Sequence, residues 1–394
     1  MINILVIPSD RTGVSKYRSL DPHLCLQKLF PDDFKVDIDY QPDLDNDEFL
    51  KRYDIVHYHR SIGPDWDRSV RTQKKLKQLG IKGIMDLDDY WLPTYDHPAY
   101  TMVKKHKMDV HIKNSLREAE YVTTTTTIFA DEIRGYCKNV EVFPNAVDPS
   151  QKQFTPNVEE SDRIRVGWLG GSSHMADLDI LRGITQKLSN HNDKLQFVLC
   201  GFDVRGSLTT INPQTGEETT RPIKPEESIW HQYEKIFTNN YESLDEKYKK
   251  HLFLFKQDLS YGGEKDSPYR RVWTRPITTY ANNYNLFDIS LAPLKEHIFN
   301  KVKSQLKVIE AGFHKKALIA QDFGPYQIDC VHEKNSLLVE KRKNHKGWDK
   351  SIKRLMMNPN MITDLGEQLY EDVQKYHINK VTTDRAEWYK SLIK

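Results

Sequence analysis

Short apolar runs separated by stretches with helical spacing dominate the first 150 residues. The runs that predict buried strands are Ile4–Ile7, Ile55–Tyr58, Gly83–Leu87, Tyr121–Thr124 and Val140–Phe143. Segments such as Asp47–Tyr53 and Ser69–Leu79 place apolar residues at the three- and four-residue intervals of an amphipathic helix. Strands that alternate with helices indicate a parallel, doubly wound sheet. We therefore expect residues 1–150 to form one α/β domain.

The same alternation starts again after a polar stretch, residues 151–162, which we interpret as a linker. The second half then predicts a helix at 179–188 and five strands, at 164–170, 196–200, 289–292, 317–320 and 336–339. A second α/β domain over residues 163–376 follows from this pattern. Residues 377–394 predict a C-terminal helix, with its apolar part from Thr383 to Ile393, that packs back on the first domain.

One region does not fit a plain strand–helix repeat. Residues 203 to about 282 form a long insertion between two expected strands. Within it, Thr209–Thr220 predicts a hairpin that turns at Asn-Pro and Gly, and Ser228–Phe237 predicts an amphipathic helix. Long excursions in compact domains are usually functional or disordered, and the sequence does not choose between these two.

Composition narrows the class of protein. The 394 residues carry a net charge of +2, which argues against a strongly basic nucleic-acid binder. No apolar run approaches the roughly 18 residues of a membrane span. The four cysteines are Cys25, Cys137, Cys200 and Cys330, and they form neither a CxxC pair nor a disulfide framework. We therefore expect a cytoplasmic protein without structural zinc.

A local basic patch stands out against this nearly neutral net charge. Arg71, Lys74, Lys75, Lys77 and Lys82 have no acidic residue among them, and the basic residues 104–107 follow soon after. Solvated helix faces explain such a pattern. The alternative is a peripheral contact with anionic lipid headgroups at the inner membrane, near a lipid-linked substrate.

Polar residues directly after the first-half strands are the first candidates for chemistry, because ligands of open α/β sheets bind at the carboxyl ends of strands. Gly13 follows the first strand and lets the backbone approach a ligand, although a simple strand–helix turn explains it equally well. The spacing is not GxGxxG, so no dinucleotide cofactor is expected. Asp86, Asp88 and Asp89 end another strand, where they could hold a metal, recognise hydroxyl groups or form a solvated N-cap.

The second half offers two further candidates. Its first strand ends in Gly170, Gly171, Ser172, Ser173 and His174, and adjacent glycines with hydroxyls before a helix suit a phosphate. His174 could donate a proton to that phosphate, although a lone histidine is more often structural.

The strongest candidate is the stretch from Phe299 to Gly312. Ser304 is expected to cap a helix that runs to Gly312, with Lys303 beside the cap. Glu310 lies on that helix next to apolar residues, where a carboxylate is costly unless it has a partner. Ribose hydroxyls would supply a partner, and the alternative is a surface glutamate at the helix end.

These residues resemble the family 4 glycosyltransferases (glycosyl transferases, group 1) over almost the whole chain. The matching pieces are the Gly13 loop, Val142–Asp148, Gly170-Gly171, Leu291–Leu294, the block that ends at Glu310, and the strand Ala317–Ala320. The resemblance implies the GT-B fold, in which two Rossmann-like domains face a central cleft. It also implies a nucleotide-diphosphate sugar, of the UDP or GDP type, held mainly by the second domain, and an acceptor held by the first.

The resemblance further implies transfer with retention of configuration, no metal and no cofactor, with the donor phosphate accepting the acceptor proton. Glu310 would bind the ribose, and Lys303 and Ser304 would lie at the diphosphate and sugar. Apart from the resemblance, the place of His174 after the glycine turn predicts that it acts on the diphosphate. Asp88 and Asp89 match a strand end that contributes to the family's catalytic pocket.

The sequence also departs from the family pattern. Val302 replaces the first glutamate of the Glu-x7-Glu motif, and Ala146 replaces a hinge glycine. The usual Arg and Lys after the glycine turn are missing, so other cations must meet the phosphates. Candidates are Lys303, Lys307, Arg270, Arg271 and Arg275.

The leading hypothesis is a glycosyltransferase of polysaccharide or glycoconjugate biosynthesis that acts on a glycan, lipid-linked or other acceptor. A sugar-nucleotide epimerase of the same fold is an alternative that would need no acceptor. A non-catalytic sugar-nucleotide-binding protein is another, and it would bind the donor without turnover.

Overall fold

Two six-stranded parallel sheets form the centres of the two halves. The computed structural model describes residues 1–394 except 11–12, 64, 98, 172, 192, 203–206, 212–217, 223, 225–226, 228, 239–249, 251–264, 266, 274 and 394. The first sheet has the order β2-β1-β3-β4-β5-β6. Its strands are β1 (Ile2–Ile7), β2 (Phe34–Ile38), β3 (Ile55–His59), β4 (Lys82–Leu87), β5 (Tyr121–Thr124) and β6 (Val140–Val142).

The second half repeats this arrangement and adds a hairpin. Its strands are β7 (Ile164–Leu169), β8 (Leu195–Phe202), β9 (Ser207–Ile211), β10 (Glu218–Pro222), β11 (Tyr269–Trp273), β12 (Ile289–Ala292), β13 (Ala317–Gln321) and β14 (Leu337–Val339). The order β11-β8-β7-β12-β13-β14 is parallel throughout, whereas β9 and β10 pair antiparallel in the hairpin.

Helices cover both sheets. In the first half they are α1 (Gly13–Ser15), α2 (Asp21–Leu29), α3 (Asp47–Leu50), α4 (Trp66–Gln78), α5 (Tyr100–Lys105), α6 (Met108–Glu118) and α7 (Thr127–Ile133). In the second half they are α8 (Met175–Leu178), α9 (Ile184–Lys187), α10 (Ile229–Thr238), α11 (Ile298–Lys301), α12 (Leu306–Phe313), α13 (Gly347–Met357), α14 (Pro359–Val373) and α15 (Ile378–Ile393). None of these helices is both long and apolar enough to cross a membrane.

The predicted pair of parallel α/β sheets is confirmed, and most strand boundaries agree within two residues. Two strands were missed: β2, which is polar on one side, and β11, which lies inside the predicted insertion and forms the edge of the second sheet. The predicted helix at 179–188 is wrong, because Gly183 adopts φ +68° and separates a 3₁₀ turn from the short α9. The two strands of the predicted hairpin pair, and its turn lies outside the described residues.

The chain passes between the halves at two adjacent places. The Val147 amide donates to the Tyr376 carbonyl (3.0 Å), and the Ile378 amide donates to the Val147 carbonyl (2.8 Å). Beyond this crossing α15 lies on the first half, where Ala386 and Tyr389 pack into the cluster around β1. The predicted linker, residues 151–162, is anchored to the second half, since Phe154 packs in the core of that half.

A buried ion pair joins the loop after β1 to the rest of the first sheet. A π-helical turn, Lys16–Leu20, carries Arg18 to the end of β4. The Arg18 guanidinium donates to both carboxylate oxygens of Asp86 (2.9 and 2.7 Å), to the Phe143 carbonyl (2.6 Å) and to Asn145 Oδ1 (3.2 Å). Thr123 Oγ1 donates to Asp86 as well (2.6 Å). The ends of β1, β4, β5 and β6 are thereby fixed relative to one another.

We expect Arg18→Met to lower the free energy of unfolding by about 3–5 kcal/mol, because it leaves the buried Asp86 carboxylate without its counter-charge. Urea titration measures this change. The double variant Arg18→Met/Asp86→Leu should recover part of the loss, and Arg71→Met, at an exposed position of α4, should change stability by less than about 0.5 kcal/mol. Equal stability of Arg18→Met and Arg71→Met would show that the ion pair is not structural.

Candidate functional site

Cationic side chains gather where α12 begins, beside the carboxyl end of β7. Lys307, in the first turn of α12, donates to the Leu169 carbonyl, and its Nζ lies 5.2 Å from the centroid of the Trp168 ring. Burial, and then the neighbouring Lys303, lower the pKa of Lys307 to about 8. Lys303 Nζ lies 5.0 Å from the centroid of the Phe299 ring. The two ammonium groups therefore share one region at the start of the helix.

Ser304 has a different role from the predicted one. The helix begins at Leu306, and its N-cap is Gln305, so the prediction of Ser304 as N-cap is wrong. Ser304 Oγ instead accepts a hydrogen bond from Asn145 Nδ2 (3.0 Å), which comes from the first half. Because Asn145 also contacts Arg18, this bond connects the start of α12 to the buried ion pair.

A histidine–aspartate pair lies beside these lysines. His174 Nδ1 contacts Asp177 Oδ2 (2.8 Å), and Asp177 Oδ1 accepts from the Lys295 amide (2.8 Å) and from Asn300 Nδ2 (2.7 Å). Burial raises the pKa of Asp177, but the contact with His174 and the charge of Lys303 lower it to about 2 overall. The Asp177 carboxylate therefore accepts a hydrogen bond from Nδ1–H of His174, which leaves Nε2 as an acceptor in the neutral ring.

His174 lies in a buried position next to a cation. Burial and Lys303 lower the pKa of His174 to about 4, so the ring is neutral at neutral pH in the ligand-free protein. Positive charge at this place comes from Lys303 and Lys307. A bound dianion would favour the charged imidazole, because an adjacent opposite charge raises the pKa of a histidine.

The glycine turn after β7 has a mainly structural explanation. A Cβ on Gly170 would lie 2.4 Å from the Trp168 ring, whereas one on Gly171 would meet nothing within 4 Å. Tyr233 Oη donates to the Gly171 carbonyl (2.8 Å) and accepts from the His174 amide (3.2 Å). Ser172 lies outside the described residues, and Ser173 is half-buried in the turn. The helix that follows the turn, α8, is one turn long and is therefore shorter than the helix expected behind a phosphate.

The three aspartates after β4 are each paired with a cation. Asp86 belongs to the Arg18 pair, and Asp88 Oδ1 contacts both His59 Nε2 (2.8 Å) and an Arg60 nitrogen (3.0 Å). The same Arg60 nitrogen donates to Asp89 Oδ2 (3.0 Å). The solvated N-cap interpretation is therefore wrong. No group of three metal-ligand side chains that could hold an ion is found within the described part of the chain.

Arg60 has a strained backbone at this site. Its φ of +60° lies in the left-handed region, which costs a non-glycine residue about 1–3 kcal/mol. The Arg60 amide donates to the Asp86 carbonyl (2.9 Å), so the strain turns its side chain onto Asp88 and Asp89. Burial raises the pKa of Asp88, but Arg60 and His59 outweigh this and hold that pKa well below its ordinary value.

Two contacts close the space between the halves. Lys295 Nζ contacts Asp96 Oδ2 (2.6 Å), and the His97 ring lies 5.1 Å from the Phe299 ring. Burial and Lys303 lower the pKa of His97, whereas Asp89 raises it, so His97 lies between charged groups of both halves. Gly13 also lies at this boundary, since an added Cβ would lie 3.1 Å from Ile277 Cδ1.

Glu310 is buried and satisfied by protein groups. Its carboxylate accepts from Tyr17 Oη (2.8 Å) and Tyr284 Oη (3.1 Å), and Tyr17 Oη lies 2.8 Å from Tyr280 Oη. Burial raises the pKa of Glu310 to about 8. The surface-glutamate alternative is therefore wrong, and the partners found in the ligand-free protein are tyrosine hydroxyls. Val302, the departure from the family motif, is fully buried in the hydrophobic core of the first half.

The phosphate candidates inside the insertion are engaged elsewhere. Arg271 is buried and paired with Glu234 (2.8 Å), and Arg270 is paired with Glu159 (2.8 Å), whereas Arg275 is exposed. Sequence reasoning had not assigned a role to His59, Arg60, Asp177 or His97. The rule that ligand contacts follow strands could have found His59 and Arg60, which end β3.

Solved structures share this architecture at low sequence identity. The chain superposes on a sucrose-phosphate synthase from Thermosynechococcus elongatus with a TM-score of 0.62 and 14% identity, over 99% of this chain and 98% of that one. For HepE of Anabaena in complex with UDP-glucose the TM-score is 0.63 and the identity 12%, over 99% of both chains. For a glycosyltransferase from Rickettsia africae the values are 0.59 and 14%, over 100% of this chain and 99% of that one.

The chain has the GT-B fold. Both the two parallel sheets and the coverage of nearly the whole chain support this assignment, and the predicted fold class is confirmed. No family model matches the sequence, and no curated protein matches it. At these identities the similarity establishes the fold alone.

We expect inorganic pyrophosphate to raise the pKa of His174 from about 4 toward its ordinary 6.5, because the anion stabilises the imidazolium. NMR titration of the His174 ring with and without pyrophosphate measures the effect. Asp177→Asn should lower this pKa further, since it removes the neighbouring negative charge. An identical His174 titration in both solutions would show that the cationic region does not bind this anion.

Proposed function

We propose that this protein is a glycosyltransferase that uses a nucleotide-diphosphate sugar as donor. The observation that carries the proposal is the convergence of Lys303, Lys307 and His174 at the start of α12, inside a GT-B fold. Backbone amides at a helix N-terminus and nearby ammonium groups form a site for a diphosphate. HepE, which shares the fold, binds UDP and UDP-glucose.

The same groups suit the chemistry of transfer. Negative charge develops on the leaving diphosphate as the bond to the sugar breaks, and fixed positive groups stabilise that charge. Lys303 and Lys307 supply ammonium groups, and His174 becomes charged when the anion is bound. Lys307 is anchored on the Leu169 carbonyl, so its ammonium group is held in place before the reaction.

Glu310 is proposed to bind the ribose diol of the donor. The Tyr17 and Tyr284 hydroxyls donate to the oxygens of its carboxyl group, so a ribose diol must exchange with at least one of them. Tyr17 comes from the first half and Glu310 from the second, so an exchange at Tyr17 would replace a hydrogen bond between the two halves.

The finer assignments rest on the resemblance to the family 4 glycosyltransferases. We propose retention of configuration, a cytoplasmic enzyme that needs neither metal nor cofactor, and a role in polysaccharide or glycoconjugate biosynthesis. Asp88 and Asp89 are proposed to act on the acceptor side. An epimerase would turn over a nucleotide sugar without any acceptor, and a non-catalytic binding protein, which Val302 would favour, would bind the donor without turnover.

Lys303→Ala should weaken UDP or GDP binding about tenfold or more, because a charge-assisted hydrogen bond contributes about 1.5–3 kcal/mol. Calorimetric titration with both nucleotides measures the affinity. The matched control is Lys301→Ala, two residues away, where the side chain is exposed and the affinity should stay the same. If the two variants bind the preferred nucleotide equally well, Lys303 does not contact the diphosphate.

Incubation with a panel of UDP- and GDP-sugars and methyl glycosides should release the nucleotide and form a disaccharide glycoside. Activity should survive dialysis against EDTA, because the aspartates after β4 are paired with Arg18, Arg60 and His59. Loss of activity with EDTA and recovery with Mg²⁺ or Mn²⁺ would contradict metal independence. Conversion of a nucleotide sugar without an acceptor would favour the epimerase.

A basic corner between α5 and α6, residues 102–110, supports a peripheral membrane contact. Met102 and Val110 are about half exposed, at 50% and 46%. Residues 104–107 between them are basic and exposed. Within the described part of the chain, Lys104 is the one among them that lies near a carboxylate, that of Asp109 (3.5 Å). Exposed apolar side chains among lysines match an anionic membrane surface. We therefore propose that the first domain approaches a lipid-linked acceptor at the inner membrane.

Lys105→Glu/Lys107→Glu should reduce binding to phosphatidylglycerol vesicles about tenfold or more, because each cation near such a surface contributes about 1 kcal/mol. Vesicle co-sedimentation measures binding, and Lys334→Glu/Lys350→Glu is the charge-matched control at exposed positions of the second half. Equal loss in both double variants, or equal binding of the wild type to neutral vesicles, would remove the membrane contact from the proposal.

A further inference from the structure

Three side chains form a hydrogen-bonded chain at the carboxyl ends of β1, β3 and β4. Ser9 Oγ lies 2.8 Å from His59 Nδ1, and His59 Nε2 lies 2.8 Å from Asp88 Oδ1. His59 is buried, with 2% of its surface exposed, whereas Ser9 is exposed. The serine end is therefore the most exposed part of this chain, since the Asp88 side chain is only 14% exposed.

The direction of each hydrogen bond follows from the charge of Asp88. Arg60 and His59 keep this carboxylate ionised, so it can only accept, and His59 must donate from Nε2. Nδ1 lies 2.8 Å from Ser9 Oγ, and in the tautomer that carries its proton on Nε2 it accepts the Ser9 proton. Ser9 Oγ is also 3.3 Å from Asp10 Oδ2, but the 2.8 Å contact with His59 is the shorter one. In that tautomer, Ser9 offers only lone pairs to a ligand.

The carboxylates next to Ser9, those of Asp88 and Asp89, are also hydrogen-bond acceptors. Asp88 and Asp89 share one nitrogen of Arg60, so two carboxylates face one guanidinium and the cluster keeps excess negative charge. Among the described residues, Asp89 Oδ1 accepts no hydrogen bond, and the Asp89 side chain is 36% exposed. This part of the surface therefore accepts hydrogen bonds and repels anions.

We infer that Ser9, with Asp89 beside it, forms a subsite for the hydroxyl groups of a neutral sugar acceptor. The inference rests on the proposed function and deepens it, because it assigns the acceptor class: a neutral polyol, not a phosphate. His59 and Asp88 are positioning residues that fix the direction of the Ser9 hydroxyl. The strained left-handed backbone of Arg60 places the guanidinium that keeps Asp88 ionised.

The two halves then divide the substrates by charge. Lys303 and Lys307 attract the anionic donor to the second half, and the Ser9–Asp89 surface accepts hydroxyl protons on the first. A phosphorylated acceptor would meet the excess negative charge of Asp88 and Asp89. Discrimination against it follows from repulsion as much as from the fit of the hydroxyl.

The first experiment reads the direction of the hydrogen bonds without requiring turnover. ¹⁵N NMR of His59 in the full-length protein should show a neutral ring protonated at Nε2 with Nδ1 as acceptor. A methyl glycoside, added to the UDP-saturated protein, should shift the Nδ1 resonance in the wild type but not in Ser9→Ala, and a hexose phosphate should not shift it. A ring protonated at Nδ1, or an equal response to the hexose phosphate, would overturn the inference.

The second experiment separates hydrogen bonding from packing. In His59→Gln the amide can still donate to Asp88 and accept from Ser9, whereas His59→Leu can do neither. Ser9→Ala and His59→Leu should raise the KM for the methyl glycoside about tenfold, and Ser9→Thr and His59→Gln should stay close to the wild type. Ser391→Ala, at an exposed position of α15, is the control.

UDP affinity, measured by calorimetry for the same variants, distinguishes a failure of the proposed function from a failure of the acceptor subsite. It should be unchanged in Ser9→Ala and His59→Leu, because neither residue lies on the donor side. Failure of the wild type to bind any nucleotide would count against the proposed function, while the His59 spectrum would still decide the subsite. Unchanged acceptor KM in Ser9→Ala, with normal UDP binding, would overturn the subsite alone.

Discussion

The buried ion pair between Arg18 and Asp86 is the constraint on which the rest of the site depends. A carboxylate in the core is tolerated only with full compensation, and here a guanidinium, a threonine hydroxyl and their neighbours supply it. Arg18 also contacts Phe143 and Asn145 at the passage between the halves. Asn145 in turn donates to Ser304, just before α12. One neutralised pair therefore fixes the strand ends of the first half and orients the helix start of the second.

Charge is distributed unevenly across the space between the halves. On the second half, Lys303 and Lys307 lie near a neutral His174, which donates a hydrogen bond from Nδ1 to Asp177. On the first half, Asp88 and Asp89 share the guanidinium of Arg60. His97 lies between these regions, and groups of opposite charge shift its pKa in opposite directions. Such a division suits a reaction between an anionic donor and a neutral acceptor, which is the chemistry proposed above.

The chain uses apolar residues where the family motif has a polar one. Val302 lies at the position of the first glutamate, and it is buried in the core of the first half instead of facing a ligand. Glu310, the second glutamate, is retained but is held by tyrosines from both halves. The fit between the two halves thus involves the side chains of both Val302 and Glu310. The burial of Val302 is consistent with the absence of a glutamate at this position of the motif.

The alternation of apolar runs and amphipathic stretches by itself determined two parallel α/β sheets, because burial on both faces leaves a continuous apolar run for each central strand. It also located the strand ends, and with them Asp88, Asp89, Gly170 and His174. Only the tertiary structure decided which distant residues contact each other. The contacts are Arg18 with Asp86, His59 with Ser9, and Tyr17 with Glu310, and their members are 68, 50 and 293 positions apart in the sequence. Periodicity records which side of an element is buried, whereas protonation, hydrogen-bond direction and charge depend on neighbours that only folding brings within reach.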